Sequence, residues 1–217
     1  MIEGDREYLH ALIRRGLLTG PLLEVGAGIP EHSARAMVES AGIEYVGTDI
    51  EGRVDVLVDL SDDQAVRAAF AGRPLFGSAI VFNVLEHTFD PIRVLDNVFS
   101  LLSPGGVCVA LTPSVWPIHS YPIDCWRILP DFYVEYARRN GHEVLRDTFV
   151  YVGHGPVPPR AASLPAPGRS RVHRLYSRVV HRLFNTSARG MLMPSHVATA
   201  VALRKGRSQE PRATPSA

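Results

Sequence analysis

Several features that mark specialised protein classes are scarce in this sequence. Among 217 residues there are two cysteines, Cys108 and Cys125, and a single lysine, Lys205. Two cysteines without metal-ligand spacing predict neither a disulfide framework nor a structural zinc site. A formal net charge of +1 disfavours the large basic surface that nucleic acid needs. No apolar run approaches the ~20 residues of a membrane span, so we expect no stable membrane insertion.

The composition is otherwise that of a globular protein. Apolar residues make up 46% and charged residues 21% of the chain, which suits a domain with a sizeable core. Residues 1–10 are acidic, whereas a secretory signal would be basic and then apolar, so we expect a cytoplasmic protein. The preference for arginine over lysine, together with 17 prolines, is typical of a GC-rich bacterial genome.

Helical and strand-like segments alternate along the chain, separated by short turns that contain glycine or proline. The sequence predicts helices over 5–17, 30–42, 62–71, 91–102 and 130–141. It predicts strands over 21–28, 43–50, 54–60, 78–85, 107–113, 143–153 and 196–205. This alternation predicts an α/β fold, a doubly wound and mostly parallel seven-stranded sheet with helices on both faces.

The alternation breaks before the last predicted strand. Residues 154–170 are rich in proline and glycine and predict a loop, and residues 170–185 predict a basic amphipathic helix. This insertion, 154–195, fits a lid, a homodimer contact, or a surface that meets an anionic membrane or a phosphorylated acceptor. The simpler alternative is a helix that packs its apolar stripe on the sheet.

The predicted elements suit a single domain. We expect it to cover residues 1–205, with an N-terminal helical segment within residues 1–20. Residues 206–217 are polar and proline-containing and are expected to form a disordered tail.

A glycine turn follows the first predicted strand, in the stretch LLEVGAGIPEHS (22–33). Gly26 and Gly28 let the backbone approach a ligand closely and direct helix N-terminal N–H groups at it. Asp49 ends the second strand 23 residues after Gly26, where a carboxylate can accept hydrogen bonds from both hydroxyls of a ribose. Asp59 follows the third strand, close to where an adenine amino group would lie. These positions predict a cofactor that contains adenosine.

Two such cofactors are a nicotinamide dinucleotide and S-adenosylmethionine. The dinucleotide fingerprint needs a third glycine at the helix start, because a pyrophosphate crowds that terminus. Here Ile29, Pro30 and Glu31 follow the turn, and a carboxylate at that position disfavours an anion. Glu24, just before the turn, could instead face the ammonium group of a methionine. S-adenosylmethionine is therefore the better fit.

With these marks in order, the sequence resembles the class I S-adenosylmethionine-dependent methyltransferases, and within them the small-molecule group called type 11. The matching stretches are LEVGAG (23–28), VGTDI (46–50), VDL (58–60), FNVLEHTFDP (82–91) and LLSPGG (101–106). The resemblance covers about residues 20–150 and implies a Rossmann-like methyltransferase fold with a helical insertion before the last strand. One departure is Pro30, which stands where the family commonly has a third glycine and could weaken cofactor binding.

The resemblance also implies which parts hold the cofactor. The glycine turn would hold the methionine end, the acid after the second strand the ribose, and the acid after the third strand the adenine. The segment after the fourth strand would line the reactive side. With Glu24 added, the expected cofactor-binding residues are Glu24, Gly26, Ala27, Gly28, Asp49, Ile50, Asp59, Leu60, Asn83, Val84 and His87.

The stretch HSYPIDCWRIL (119–129) concentrates large polar-tipped side chains directly after the fifth strand. Ligands of open parallel α/β sheets bind outside the carboxyl ends of the strands, so this loop should wall an acceptor pocket. The type 11 group is similar here, with the pattern Pro-x-Asp-x-Trp-Arg matched by residues 122–127. The expected acceptor-binding residues are His119, Tyr121, Asp124, Trp126 and Arg127.

A hydroxyl acceptor benefits from a general base. His119 and His87 are the candidate catalytic bases because imidazole titrates near neutrality, and Asp124 is a partner or an alternate. The structural alternative is that Asp124 and Arg127 form an ion pair that fixes the loop, while Trp126 packs and His119 caps. No histidine, cysteine or carboxylate cluster has ligand spacing beyond this loop, so we expect no metal.

The sequence therefore predicts an S-adenosylmethionine-dependent methyltransferase that O-methylates a small polar metabolite, such as a sugar or a natural-product intermediate. A phosphate- or nucleotide-linked acceptor is one option, and transfer to an amine or carboxylate is less favoured. The main alternative is a non-catalytic or non-methylating protein that keeps the fold and the cofactor site. An NAD-dependent oxidoreductase and a nucleic-acid methyltransferase are disfavoured, the latter because residues 83–86, NVLE, lack the Asn/Asp-Pro-Pro-aromatic motif of base-modifying enzymes.

Overall fold

A computed structural model of the protein describes residues 3–116, 118–119, 122–154 and 196–207. Its α-helices are α1 (Glu3–Arg14), α2 (Arg35–Ser40), α3 (Asp63–Ala69), α4 (Pro91–Leu101) and α5 (Pro130–Asn140). Its strands are β1 (Leu22–Val25), β2 (Tyr45–Asp49), β3 (Val56–Leu57), β4 (Phe76–Phe82), β5 (Leu102–Val115), β6 (Glu143–His154) and β7 (His196–Arg204). Two short 3₁₀ helices span Pro30–His32 and Leu85–His87.

The seven strands form one sheet in the order β3-β2-β1-β4-β5-β7-β6. Strands β1 to β5 pair in parallel, and β7 runs antiparallel to both of its neighbours, β5 and β6. Each parallel connection carries the chain over a face of the sheet, which is the arrangement that alternating strands and helices predict. The predicted doubly wound, mostly parallel seven-stranded fold is confirmed.

Two apolar clusters cover the two faces of the sheet. Side chains alternate along each strand, so that Leu23 faces one cluster and Leu22 the other, and Ala79 and Ile80 divide in the same way. Helices α3, α4 and α5 pack on the first face, and α1 and α2 on the second. Burial on both faces explains why the central strands read as continuous apolar runs in the sequence.

The largest departure from the predicted elements follows the glycine turn. A continuous helix over 30–42 is predicted, but the chain forms a 3₁₀ turn at Pro30–His32 and begins α2 only at Arg35. Ile29 is extended, with φ −102° and ψ 105°, as a residue before proline prefers. The backbone N–H of Ala34, at the start of α2, donates to the Glu24 carboxylate. The predicted continuous helix is wrong because this contact with β1, distant in sequence, sets the helix start.

Among the strands, β3 and β5 differ most in length from their predicted bounds. β3 covers Val56–Leu57 instead of 54–60, since it is an edge strand that pairs with β2 alone. β5 starts at Leu102 instead of residue 107, because Leu102 already pairs with Phe76 of β4. The register then shifts before the next pair, Ser78 with Val107.

The order of strands places the carboxyl ends of β1 and β4 side by side. The sheet grows from β1 toward β3 in one direction and from β4 toward β6 in the other. In α/β sheets of this kind the crevice at such a switch point is where ligands bind. The glycine turn after β1 and the 3₁₀ helix after β4 meet there.

Among the described residues, no helix combines the length and the apolar character that crossing a bilayer requires. Residues 155–195, which include the predicted basic helix, lie outside the described residues, as do residues 208–217 of the predicted tail.

Candidate active site

The glycine turn is fixed against its neighbours on both sides. Gly26 has φ +83°, and a Cβ at this position would lie 2.5 Å from Cγ2 of Val84. Only glycine combines that backbone conformation with so close an approach. The N–H of Gly28 donates to Oδ2 of Asp49 over 2.7 Å. The turn thus joins the ends of β1, β2 and β4 into one surface.

Asp49 stands at the end of β2, half-buried, with its carboxylate at this surface. It accepts hydrogen bonds of 2.7 Å from the N–H groups of Gly28 and Ile50, and a longer one of 3.4 Å from the N–H of Glu51. A carboxylate has about four acceptor positions, so the two short bonds orient the group, and the long third bond still leaves acceptor capacity for ribose hydroxyls. The predicted role of Asp49 is therefore compatible with its geometry.

The other predicted cofactor-binding residues beside β1, β2 and β3 differ in their exposure to solvent. Ile50 is 58% exposed and offers an apolar surface beside the turn, whereas Ala27 and Leu60 are 6% and 4% exposed. Asp59 is exposed and accepts bonds from the N–H and Oγ of Ser61, at 2.8 and 2.7 Å. The buried members can shape the site through their backbone, and the exposed ones through their side chains.

Glu24 lies beneath the turn. It is 4% exposed, and its carboxylate accepts bonds from Ser33 Oγ at 2.8 Å, from the Ala34 N–H at 2.9 and 3.0 Å, and from the Tyr45 hydroxyl. Burial raises the pKa of Glu24, and these hydrogen bonds oppose that rise. With its oxygens engaged by the protein, Glu24 is better placed to support the turn than to contact an ammonium group.

The chain after β4 takes an unusual backbone turn. Asn83 has φ +54°, a left-handed conformation that asparagine tolerates better than most residues. Its N–H donates to the carbonyl of Leu111 over 2.8 Å, and its Nδ2 donates to Oδ2 of Asp5 over 3.1 Å. Asp5 is fully buried in the first turn of α1. The N-terminal helix therefore reaches the candidate site.

The 3₁₀ helix Leu85–His87 carries two adjacent ionisable side chains. Glu86 is fully buried, and within the described part of the chain neither of its carboxylate oxygens has a hydrogen-bond partner. Burial raises the pKa of Glu86 to about 8. His87 Nδ1 lies 2.6 Å from the carbonyl oxygen of Ile123, so Nδ1 carries the donated proton. Nε2 of His87 lies 3.6 Å from Oε1 of Glu86.

The loop after β5 brings His119 next to His87, with 4.9 Å between the ring centroids. Oδ2 of Asp124 accepts the backbone N–H of His119 over 2.8 Å and lies 3.2 Å from His119 Nδ1. The Arg127 guanidinium binds both oxygens of Asp124 and holds the pKa of that carboxyl well below its usual range. Asp124 is therefore suited to orient His119 and poorly suited to accept a proton itself.

The ion pair between Asp124 and Arg127 also fixes the loop, as the structural alternative anticipates. Arg127 donates further bonds to the carbonyl oxygens of Trp116 and Trp126, at 3.3 and 2.8 Å. Trp126 is 42% exposed and donates from Nε1 to the carbonyl of Thr88 over 3.0 Å. The geometry favours a positioning role for Arg127 and leaves Trp126 on an accessible wall. Tyr121, also expected to bind the acceptor, lies outside the described residues.

Two acidic residues of this region, Asp5 and Glu86, are not among the site residues predicted from the sequence. Asp5 shares one helical face with Tyr8, Leu9 and Leu12, and a carboxylate on an apolar face is a signal that the sequence does contain. Glu86 follows a buried strand, but its full burial depends on how the later loop packs over the 3₁₀ helix. The sequence pattern carries no signal for that contact.

Gly28 offers a direct test of the turn. A Cβ at this position would lie 2.7 Å from both Asp49 Oδ2 and the carbonyl oxygen of Glu51. We expect Gly28→Ala to lower the free energy of unfolding by about 1–3 kcal/mol in chemical denaturation, because the added methyl group overpacks the turn. The same variant should weaken cofactor binding at least about tenfold in calorimetry.

Gly72→Ala is the control, since Gly72 has φ +72° and a Cβ there would meet nothing within 4 Å. It should cost about 1–2 kcal/mol from backbone strain alone and leave cofactor affinity unchanged. Equal affinity in both variants would contradict the proposed role of the turn.

Comparison with known proteins gives a consistent result. Residues 3–162 match a family described as methyltransferase domain. The ubiquinone biosynthesis O-methyltransferase of Psychrobacter cryohalolentis is 32% identical over 45% of this chain and 42% of its own length. The enzyme of that name from Psychrobacter arcticus matches equally well. The chain thus spans less than half the length of these curated relatives.

Solved structures with the same fold cover most of the chain. An S-adenosylmethionine-dependent methyltransferase from Archaeoglobus fulgidus has a TM-score of 0.59 at 16% identity, covering 92% of this chain and 94% of its own. The 1,6-didemethyltoxoflavin-N1-methyltransferase of Burkholderia thailandensis, solved with S-adenosylhomocysteine, has 0.58 at 13% identity, covering 94% and 79%. The [4+2]-cyclase SpnF has 0.55 at 16% identity, covering 92% and 81%. At such low identity the likeness concerns the fold alone.

Proposed function

Because the chain belongs to the methyltransferase-domain family of S-adenosylmethionine-dependent enzymes, we propose that it transfers the cofactor's methyl group to a hydroxyl oxygen of a small polar acceptor. The observation that carries this proposal is a pair of imidazoles, His87 and His119, at the sheet edge that also bears the glycine turn. One of them is oriented by the ionised carboxylate of Asp124. The partial identity to O-methyltransferases supports oxygen as the accepting atom.

The cofactor would lie across the ends of β1, β2 and β4, within one domain that spans residues 1–205. The ribose hydroxyls would donate to Asp49, whose carboxylate is already oriented by the N–H groups of Gly28 and Ile50. The adenine would lie near Asp59 and Leu60. The methionine end would meet the backbone of the Gly26 turn, and Asn83, Val84 and His87 would line the sulfonium side.

The acceptor would enter from the loop after β5. The cofactor would supply an activated methyl group to the acceptor oxygen and leave as S-adenosylhomocysteine, so the protein's task is to position the acceptor and remove its proton. The proton passes to the imidazole of His119, whose positive charge Asp124 stabilises. Trp126, with Tyr121, would wall the acceptor.

The structure disfavours a dinucleotide at this site. The N–H of Ala34, the residue that precedes α2, is taken by the buried acid Glu24 and is not available to a pyrophosphate. Pro30 and Glu31 occupy the turn in between. The pyrophosphate of a dinucleotide would therefore meet an acidic group instead of N–H donors.

The proposal is tested with the purified full chain and S-adenosylmethionine labelled in its methyl group. A panel of phenols, sugars and nucleotide-linked sugars is offered, and the products are analysed by mass spectrometry. We expect acceptor-dependent S-adenosylhomocysteine and a methyl ether that is stable to mild base. Label found on nitrogen or in a base-labile ester would refute the hydroxyl assignment. Tight cofactor binding without transfer to any member of the panel would favour the alternative of a non-methylating protein that keeps the fold.

A further inference from the structure

Three potential metal ligands meet where the 3₁₀ helix Leu85–His87 touches the loop after β5. Glu86, His87 and His119 each offer one ligand atom, and these atoms all lie within 4.8 Å of one another. We propose that this cluster is a Zn²⁺ site whose occupation inhibits methyl transfer by engaging both imidazoles. The inhibitory half of the proposal rests on the proposed function, and the binding half does not.

The buried carboxylate is the first reason. Glu86 is fully buried, and within the described residues neither oxygen has a hydrogen-bond partner. A buried polar group without a partner is costly, and a buried carboxylate is normally paired or bound to a metal. His87 supplies no such hydrogen bond, since its Nε2 remains 3.6 Å from Oε1 of Glu86. A cation between them would compensate the carboxylate.

The orientation of the histidines is the second reason. Metal-binding histidines usually donate their other ring N–H to a carbonyl or a carboxylate, which fixes the ring and its tautomer. The Nδ1 of His87 is held by the carbonyl of Ile123 at 2.6 Å. The Nδ1 of His119 faces Asp124 at 3.2 Å, and Arg127 fixes that carboxylate in turn. Both supporting contacts of a carboxylate–histidine metal site are therefore present.

The ligand set points to zinc over magnesium or calcium. Two imidazole nitrogens and one carboxylate oxygen suit Zn²⁺, whereas Mg²⁺ and Ca²⁺ prefer oxygen ligands throughout. Tetrahedral Zn²⁺ with bonds of about 2.0–2.2 Å holds its ligands roughly 3.3–3.6 Å apart. The 3.6 Å between His87 Nε2 and Glu86 Oε1 matches that separation. Three protein ligands leave a fourth position for water.

Occupation of this site has a consequence for the reaction. An imidazole bound to Zn²⁺ has given its lone pair to the metal and cannot take the proton of the acceptor. The turnover proposed above needs no metal, so zinc acts here as an inhibitor. The expected response is a fall in rate as free Zn²⁺ rises, reversed by a chelator.

The test starts with isothermal titration of chelator-treated full chain with ZnCl₂, in the absence of cofactor and acceptor. We expect one ion per chain, at micromolar affinity or tighter, and no comparable binding of MgCl₂. Glu86→Gln and His119→Gln should each weaken zinc binding at least about tenfold, whereas His10→Gln, on an exposed face of α1, should not. Far-UV circular dichroism shows whether each variant is folded, and Glu86→Gln introduces no new charge.

The outcomes distinguish failure of the zinc site from failure of the proposed methyl transfer. No binding below millimolar Zn²⁺, or equal affinity in all variants, would refute the site. Binding that follows the variants but leaves the rate of S-adenosylhomocysteine formation unchanged would refute inhibition alone. Because the zinc titration contains neither cofactor nor acceptor, failure of the proposed methyl transfer would leave its result unaltered.

Discussion

Replacement of Asp49 by alanine is expected to weaken S-adenosylmethionine binding by about 10²–10⁴-fold. If the ribose binds Asp49 as proposed, the change removes two charge-assisted hydrogen bonds, each worth about 1.5–3 kcal/mol, and each 1.4 kcal/mol is a factor of ten in affinity. It also leaves the N–H of Gly28 without the carboxylate that now accepts it over 2.7 Å. Calorimetric titration of the purified variant with S-adenosylmethionine measures the loss.

Two further variants make that result specific. Asp49→Asn keeps one acceptor oxygen and should lose less affinity than Asp49→Ala. Asp131→Ala removes an exposed carboxylate in the first turn of α5 and should bind as the wild type does. An affinity of Asp49→Ala within about threefold of wild type, at the same stoichiometry, would show that the ribose does not lie at the end of β2.

The second large effect concerns the base. His119→Gln is expected to lower kcat by about 10²–10⁴-fold, the usual contribution of general base catalysis, with the affinity for S-adenosylmethionine unchanged. Asp124→Asn should lower kcat by a smaller factor, because it removes the negative charge 3.2 Å from His119 Nδ1 but keeps the imidazole. Stopped assays of S-adenosylhomocysteine formation, run with a chelator present, measure both variants.

The control for this prediction is His10→Gln, which changes an exposed histidine of α1 and should keep wild-type kcat. A His119→Gln variant with wild-type kcat would remove His119 from the reaction and leave His87 as the base. A variant whose kcat is unchanged but whose acceptor KM rises would instead mark His119 as an acceptor-binding residue.

Much of the fold could be predicted from the sequence because its determinants are local. Apolar runs bounded by glycine and proline predict the five parallel strands. The helices α3 and α4 are preceded by the N-cap residues Asp62 and Asp90, whose side chains accept hydrogen bonds from N–H groups of the first turn. The expected family, the methyltransferase class and S-adenosylmethionine as its cofactor are confirmed by the match over residues 3–162.

What the sequence mispredicts or leaves open depends on side-chain contacts that only the folded structure reveals. The start of α2 is set by Glu24 of β1, 10 residues earlier, and a helical pattern over 30–42 does not reveal that contact. For Asp124 the sequence leaves three roles open: a base, the partner of a base, and an ion pair with Arg127 that fixes the loop. The observed ion pair beside His119 favours the second and third roles over the first.

In the candidate site, too, residues placed by the order of the strands could be predicted, whereas those placed by loop packing could not. Asp49 and the glycines stand at strand ends, so the order of elements alone brings them to one edge. The burial of Glu86 and its approach to His119 require the packing of the loop after β5, which has no periodic signal in the sequence. Asp5 could have been found from its place on the apolar face of α1.

Whether the site at the ends of β1 and β2 binds S-adenosylmethionine can be measured directly. The purified protein is titrated in a calorimeter with S-adenosylmethionine, and in parallel with NAD. We expect saturable binding of one S-adenosylmethionine per chain and no heat of binding from NAD, because Glu24 engages the N–H of Ala34 just before α2. Saturable binding of NAD, or the absence of any binding of S-adenosylmethionine, would contradict it.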